Sequence, residues 1–412
     1  MEQYAVTGIG VYNGLGTTAE SSWQSLLQGN SAIQTIAWPE DDETKFPETH
    51  SALTIKTAAL SPKLTKDDPH PELFDRGWAN WDPNTRACLM SVNEAITDSN
   101  LNSKNVGVVV STFGSGTSIR LEIFSALNRG SKKISPRKIL NVGLDFPAAQ
   151  ISALYKVEGP NTSIDSACTT GITNIDHAIM ALKTKPELDA MIVGGSDHIA
   201  EPIYMYWFQS LGALSPAEDL RMASCPFDID RSGFVMGEGA ATMIIEPLSK
   251  ALARGAKVYG IVRGTGFVTI FDSDTSPDKD GRGAREVVRK AMANAEVKPE
   301  DIQLINAHAT STPIGDFIEY DAMSEIFPGR NCVSNKGQVG HTMAGAGILE
   351  TIYTLQSMRD GVIPPNTNLR NPIGDGLQLP RESKKFDVKY AIKNSFGFGG
   401  RNASIVLERY DG

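Results

Sequence analysis

The feature that most constrains this chain is the recurrence of short β-branched runs beside stretches of helical spacing. YAVTGIGV at 4–11, VGVVVST at 106–112, AMIVGGSD at 190–197 and ATMIIEP at 241–247 read as strands. The pattern returns in VYGIVRGTGFV at 258–268, IQLINAHA at 302–309, NCVSNKG at 331–337 and ASIVLERY at 403–410. Strands that alternate with helices specify a layered α/β architecture, because each sheet face needs a helix layer to cover its apolar side. The repetition points to two similar halves, 1–250 and 251–412, divided near 248–255, where LSKALARG lies between two apolar strands. A chain of 412 residues, 41% of them hydrophobic, can bury a core large enough for both.

Residues 39–83, with PEDDETKFPETH and SPKLTKDDPHPE, read as a long excursion with little core of its own. The formal net charge of -9 argues against a nucleic-acid partner, since no basic surface emerges. Cys88, Cys168, Cys225 and Cys332 form no C-x-x-C pair, so neither zinc nor a disulfide framework is expected and a reducing, cytoplasmic setting is. The N-terminal residues do not read as a signal peptide, and no run of eighteen apolar residues suggests a membrane span.

Four segments carry candidate chemistry. In SIDSACTTGITNIDHAIMALK, Ile172, Ile175, Ile179 and Leu182 fall at helical spacing, which puts Cys168 at a strand-to-helix turn. There the helix N-terminus would favour a thiolate, and the Cys168 amide could face an oxyanion. His308 follows a strand in NAHATSTPIGDFIE, and His341 follows Lys336 in SNKGQVGHTMAGAG, whose small residues suit close helix packing. A lone buried cysteine or histidine is usually structural, so these residues form a catalytic set only if folding brings them together. KNSFGFGGRNASIVL is a glycine-rich turn whose backbone N–H groups could approach a substrate. The spacing of Gly8, Gly10 and Gly14 is not G-x-G-x-x-G, and FGSGTS at 113–118 lacks the lysine of a phosphate loop.

These segments, together with VTGIG, SSWQSLLQGNSAI and PFDIDRSGFVMGEGA, resemble in order and spacing the β-ketoacyl-acyl-carrier-protein synthases of the synthase II group and the ketosynthases of type II polyketide assembly. The resemblance spans nearly the whole chain. It implies a thiolase fold, five αβαβα layers built from two similar halves. It also implies a condensing acyltransferase in a fatty acid or polyketide pathway, with Cys168 as nucleophile and His308 and His341 as donors that promote malonyl decarboxylation. Lys336 and Glu319 are then the supporting charges, the amides of Cys168 and Phe398 the oxyanion hole, Phe398 a gate, and Thr310 and Thr312 contacts to a phosphopantetheine arm. The implied partners are an acyl carrier protein and a second subunit, in a homodimer or a heterodimer with a chain-length factor; no metal or redox cofactor is implied.

Some residues depart from that pattern. Trp78 and Trp81, near Arg76, stand where basic carrier-docking residues are expected, Gly212 replaces a frequent arginine, and Arg401 replaces the threonine after GFGG. With CTTG in place of CATG, these departures suggest a specialised, secondary-metabolite role with altered carrier docking. Gly114 aligns near a position that limits the acyl pocket in some relatives, so a bulky residue there is expected to shorten the accepted chain. Two other readings compete: a silent chain-length-factor-like partner, against which Cys168, His308, His341 and Lys336 argue, and a thiolase-type cleaving enzyme, for which Cys332 lies in the wrong motif.

Overall fold

The computed structural model describes residues 2–412 apart from 37–52, 131–135 and the single positions 66, 69, 76, 115, 129 and 276. PEDDETKFPETH and Arg76 therefore lie outside the described residues. The β-branched runs form a ten-stranded sheet. From one edge to the other its strands are Asn331–Val333, Leu304–Asn306, Tyr390–Gly397, Arg401–Glu408, Gly260–Thr269, Tyr4–Asn13, Gly239–Pro247, Ala190–Asp197, Val106–Ser111 and Asn161–Thr162.

The two sides of this sheet share one wiring. Counted outward from the centre, each side runs first, fifth, fourth, second and third strand of its own half. On each side the two outer pairings are parallel and the two inner ones antiparallel. The halves meet where Tyr4, Ala5 and Val6 pair antiparallel with Val262, Ile261 and Gly260. Similar sequence habits have thus produced the same topology twice.

Helices complete the layers. Pro83–Ser99 covers the first half's strands on one outer face, and Arg282–Ala295 covers the second half's on the other. Between the halves, Thr170–Thr184 and Ala346–Asp360 pack on each other and on strands of both. This is the five-layered thiolase fold, and its central core is common property: Val109, Ile172 and Met243 share one buried cluster with Leu304, Val333 and Ile348. The central helices cross where Gly171 meets Gly347. A Cβ on Gly171 would lie 2.6 Å from the Ile348 nitrogen and 2.7 Å from the Gly347 Cα, so the small residues after His341 permit the crossing.

The excursion expected at 39–83 needs correcting over its described part. Leu53 and Ile55 are buried beside Tyr204 and Met236, and Phe74, Trp78 and Trp81 are buried against Leu89 and Val92. Trp78 and Trp81 retain only 1% and 6% exposure, so they are core residues and offer no carrier surface. Arg86 holds this segment down by donating to the Trp78 and Leu64 carbonyls at 2.9 and 2.7 Å. The aromatic residues pay the ordering cost of a stretch whose Pro, Asp and Lys content suggested solvated loop.

Candidate active site

The segment before Thr170–Thr184 makes the turn foreseen for the cysteine: Ala167 takes φ +55° and Cys168 follows it, just ahead of the helix. A non-glycine residue in that region is strained, and here the strain turns a half-buried thiol toward a cavity of about 510 Å³. The cavity also receives His308, His341, Phe396, Phe398 and Glu319. Ser311 and Met343, close to the two histidines in sequence, have positive φ as well, at +72° and +44°.

Folding brings the three candidate residues together. His341 Nε2 lies 3.0 Å from Cys168 Sγ, and the thiol and both imidazoles present polar atoms that all lie within 4.8 Å of one another. The two imidazole rings meet edge to face with centroids 5.4 Å apart. Burial drives both imidazole pKa values well below the usual range, and the Lys336 ammonium pushes them the same way, so both rings are neutral near pH 7. Neutral imidazoles suit hydrogen-bond donation to a developing enolate.

The thiol departs from the sequence expectation of a stabilised thiolate. Burial pushes Cys168 up to about 12, opposed by Lys336 and by a backbone N–H, so the resting group is a protonated thiol. Desolvation outweighs the helix terminus here because the sulfur faces an apolar cavity.

Glu319 sits behind the histidines, accepting from the His308 and Ala309 N–H groups at 2.9 and 2.7 Å and from Asn394 Nδ2 at 3.1 Å. Lys336, 1% exposed, reaches neither imidazole; its Nζ donates to Glu350 Oε1. The other Glu350 oxygen lies 2.6 Å from Lys393 Nζ. Three polar groups that the motifs did not single out therefore belong to the network: Glu350, Lys393 and Asn394. The signal was present, because Glu350 is the one charged residue in AGILETIYTLQSM and Lys393 the one in YAIKNSFG. Asp197 was also missed; its carboxylate accepts from the Phe113, Gly114 and Ala344 N–H groups at 2.9, 2.9 and 2.8 Å and so ties the first half to the loop after His341.

Thr310 and Thr312 line the cavity, with their hydroxyl oxygens 3.2 Å apart. Phe398 lines it too, its ring 6.5 Å from that of Phe208, while Gly397 brings backbone close to the Cys168 nitrogen. A Cβ on Gly114 would meet Ile199 Cγ2 at 2.0 Å, and the neighbouring Phe113 faces the cavity. Gly212 lies at the cavity with φ +64°. Cys332 is fully buried in a strand and does not line the cavity, which removes it as a second nucleophile.

Comparison with known proteins covers the chain from end to end. Residues 1–251 match the family model described as Beta-ketoacyl synthase, N-terminal domain, and residues 259–370 match its C-terminal domain. The 3-oxoacyl-[acyl-carrier-protein] synthase 2 of Vibrio cholerae is 36% identical over 421 residues, covering 98% of each chain. A β-ketoacyl synthase structure from Burkholderia phymatum superposes with a TM-score of 0.86 at 25% identity, covering 100% of both chains. The ishigamide ketosynthase/chain length factor superposes at 0.85 with 24% identity over 99% of each chain, a likeness of fold.

Proposed function

Because this chain belongs to the β-ketoacyl synthase family and is a condensing acyltransferase, we propose that Cys168 carries the growing acyl chain as a thioester and that His308 and His341 drive its extension by a malonyl unit. The observation that carries this reading is the 3.0 Å approach of His341 Nε2 to Cys168 Sγ with His308 beside them in one cavity.

In the loading half, Cys168 Sγ attacks the acyl thioester of a carrier protein. The carrier sulfur leaves with the thiol proton, while His341 Nε2–H donates to the attacking sulfur and the amides of Cys168 and Phe398 hold the oxyanion. In the condensing half, the malonyl thioester carbonyl accepts from Nε2 of both histidines. Its terminal C–C bond breaks, CO₂ departs, and the resulting enolate carbon attacks the Cys168 thioester. A new C–C bond forms, the C–S bond breaks, and the cysteine leaves as a thiolate that takes up a proton.

On this reading 1–250 supplies the nucleophile and 251–412 the histidines, Lys336 and Glu319. Thr310 and Thr312 meet the phosphopantetheine arm of an acyl carrier protein, and Phe398 moves to admit the malonyl group. The chain works as a homodimer, or as the active half of a heterodimer with a chain-length-factor-like subunit, in the cytoplasm. Trp207 and Leu211, 52% and 55% exposed near the cavity, and Ile139 and Leu140, 68% and 66% exposed, give apolar surface for such a partner. Among the described residues no helix is long and apolar enough to cross a membrane.

Intact-mass analysis after incubation with short and medium acyl-carrier thioesters tests the reading. Wild type gains one acyl group and Cys168→Ala gains none. Acylation that appears only with a co-expressed partner selects the heterodimer, and no acylation under either condition overturns the reading in favour of a silent subunit.

A further inference from the structure

Lys393 heads the KNSFGFGG segment but the family resemblance gives it no role, and it lies fully buried directly behind the histidines. Its Nζ lies 2.6 Å from Glu350 Oε2 and donates to the Asn394 carbonyl and, at 3.2 Å, to Ser395 Oγ. Lys336 grips the other Glu350 oxygen. Two ammonium groups therefore share one carboxylate in a site sealed from water, where an unpaired charge would be costly. Lys393 also stands on the strand Tyr390–Gly397. Its neighbour Asn394 holds Glu319, which in turn accepts from the His308 and Ala309 amides, and the strand ends at Gly397, beside the Cys168 backbone, in the Phe398–Gly400 turn.

We propose that Lys393 is a positioning residue for the condensing half-reaction: it clamps Glu350 against Lys336, anchors the strand that leads into the Phe398–Gly400 turn, and keeps positive charge behind His308 and His341 so that both remain neutral donors. The charged groups around it are Glu350 from the helix Ala346–Asp360, Lys336 from the turn before His341, and Glu319 from the helix Pro313–Ile326. Beyond burial, positive charge from both lysines disfavours the imidazolium form of each histidine. The charge therefore bears on the two groups whose neutral form the condensing half-reaction needs. Burial brings the Lys393 ammonium itself down to about 8, with Glu350 acting against that, so the charge is present at neutral pH and is lost as pH rises through that value.

This inference rests on the reading of His308 and His341 as enolate donors, and the experiment separates the two. Lys393→Met, close in length and uncharged, is compared with wild type in two assays: Cys168 acylation by intact mass, and condensation with a malonyl carrier thioester across pH 5.5 to 8. The expected result is acylation within about threefold of wild type, with condensation reduced about tenfold at pH 6 and less at pH 8, because the histidines now take up protons at higher pH. Lys393→Arg, which keeps the charge, restores the wild-type ratio between pH 6 and pH 8. Equal losses in both half-reactions, or an unchanged pH 6 to pH 8 ratio, overturn the proposal while leaving the wild-type reading intact. Failure of wild type itself to acylate at Cys168 overturns the parent reading. If Lys393→Met does not fold, Lys393→Gln, which still bonds to Glu350, is read by the same criteria; if neither neutral variant folds, Lys393 is a stability element and the proposal falls.

Discussion

At Cys168 two environments compete: a helix start that favours the thiolate and an apolar cavity that disfavours it, with the cavity dominant. With the thiol pushed up to about 12, the thiolate fraction grows by about tenfold per pH unit throughout the neutral range. Alkylation of Cys168 by iodoacetamide is therefore expected to accelerate by about tenfold per pH unit, about a hundredfold from pH 7 to pH 9, with no plateau near 8.5; a plateau there would mean the helix terminus dominates. The two histidines should differ in which half-reaction they touch. His341→Ala removes the partner at 3.0 Å from the sulfur and should slow acylation by about tenfold. His308→Ala should leave acylation near wild type while cutting condensation by about 10²-fold or more, as measured by product release. Thr310→Val with Thr312→Val is expected to raise the KM for the carrier substrate with little change in kcat, since the two hydroxyls sit in the cavity wall and neither bonds to Cys168 or a histidine ring.

At the scale of elements, the site depends on how closely the helices Thr170–Thr184 and Ala346–Asp360 approach. The first begins beside the nucleophile, the second carries Glu350, and Gly171 against Gly347 sets their separation. Gly171→Val would force backbone apart, so a loss of about 1–3 kcal/mol is expected in denaturant unfolding, with a larger proportional loss of activity because Cys168 and His341 move relative to each other. Asp197 works at the same scale. It joins the turn after Val106–Ser111 to the segment after His341, and burial raises its carboxyl to about 7 despite three backbone donors.

For the whole molecule, the shared core explains why the halves act as one unit. Cys168 and the two histidines come from opposite halves, and one buried cluster runs through both. The exposed apolar residues Phe124, Leu127, Ile139 and Leu140 lie on the first half and are a large apolar exposure for a lone subunit of 44.4 kDa. Mass photometry is expected to give about twice that mass, alone or with a second subunit, and Ile139→Asp with Leu140→Asp should shift the population to the monomer. A wild-type monomer that is active by itself would contradict the assembly proposed above.

The architecture and the place of Cys168 at a strand-to-helix turn were legible in the sequence because both are local signals. Period and β-branching mark strands, and Cys168 sits where a strand-like run gives way to helical spacing. The pairing of Cys168 with His341 was legible only as part of a motif resemblance, since residues 173 positions apart meet through packing alone. Burial could not be read at all. Trp78 and Trp81 looked like altered surface and are core, Cys168 looked like a thiolate and is held as a thiol, and the Glu350 partner of Lys336 had no signal in the motifs. In each case the outcome is set by desolvation and by which long-range neighbour arrives. The sequence by itself determined which elements form and which chemistry is available; the tertiary structure decided which charges face one another out of water, because electrostatic energy depends on distance and dielectric and neither is local in the chain.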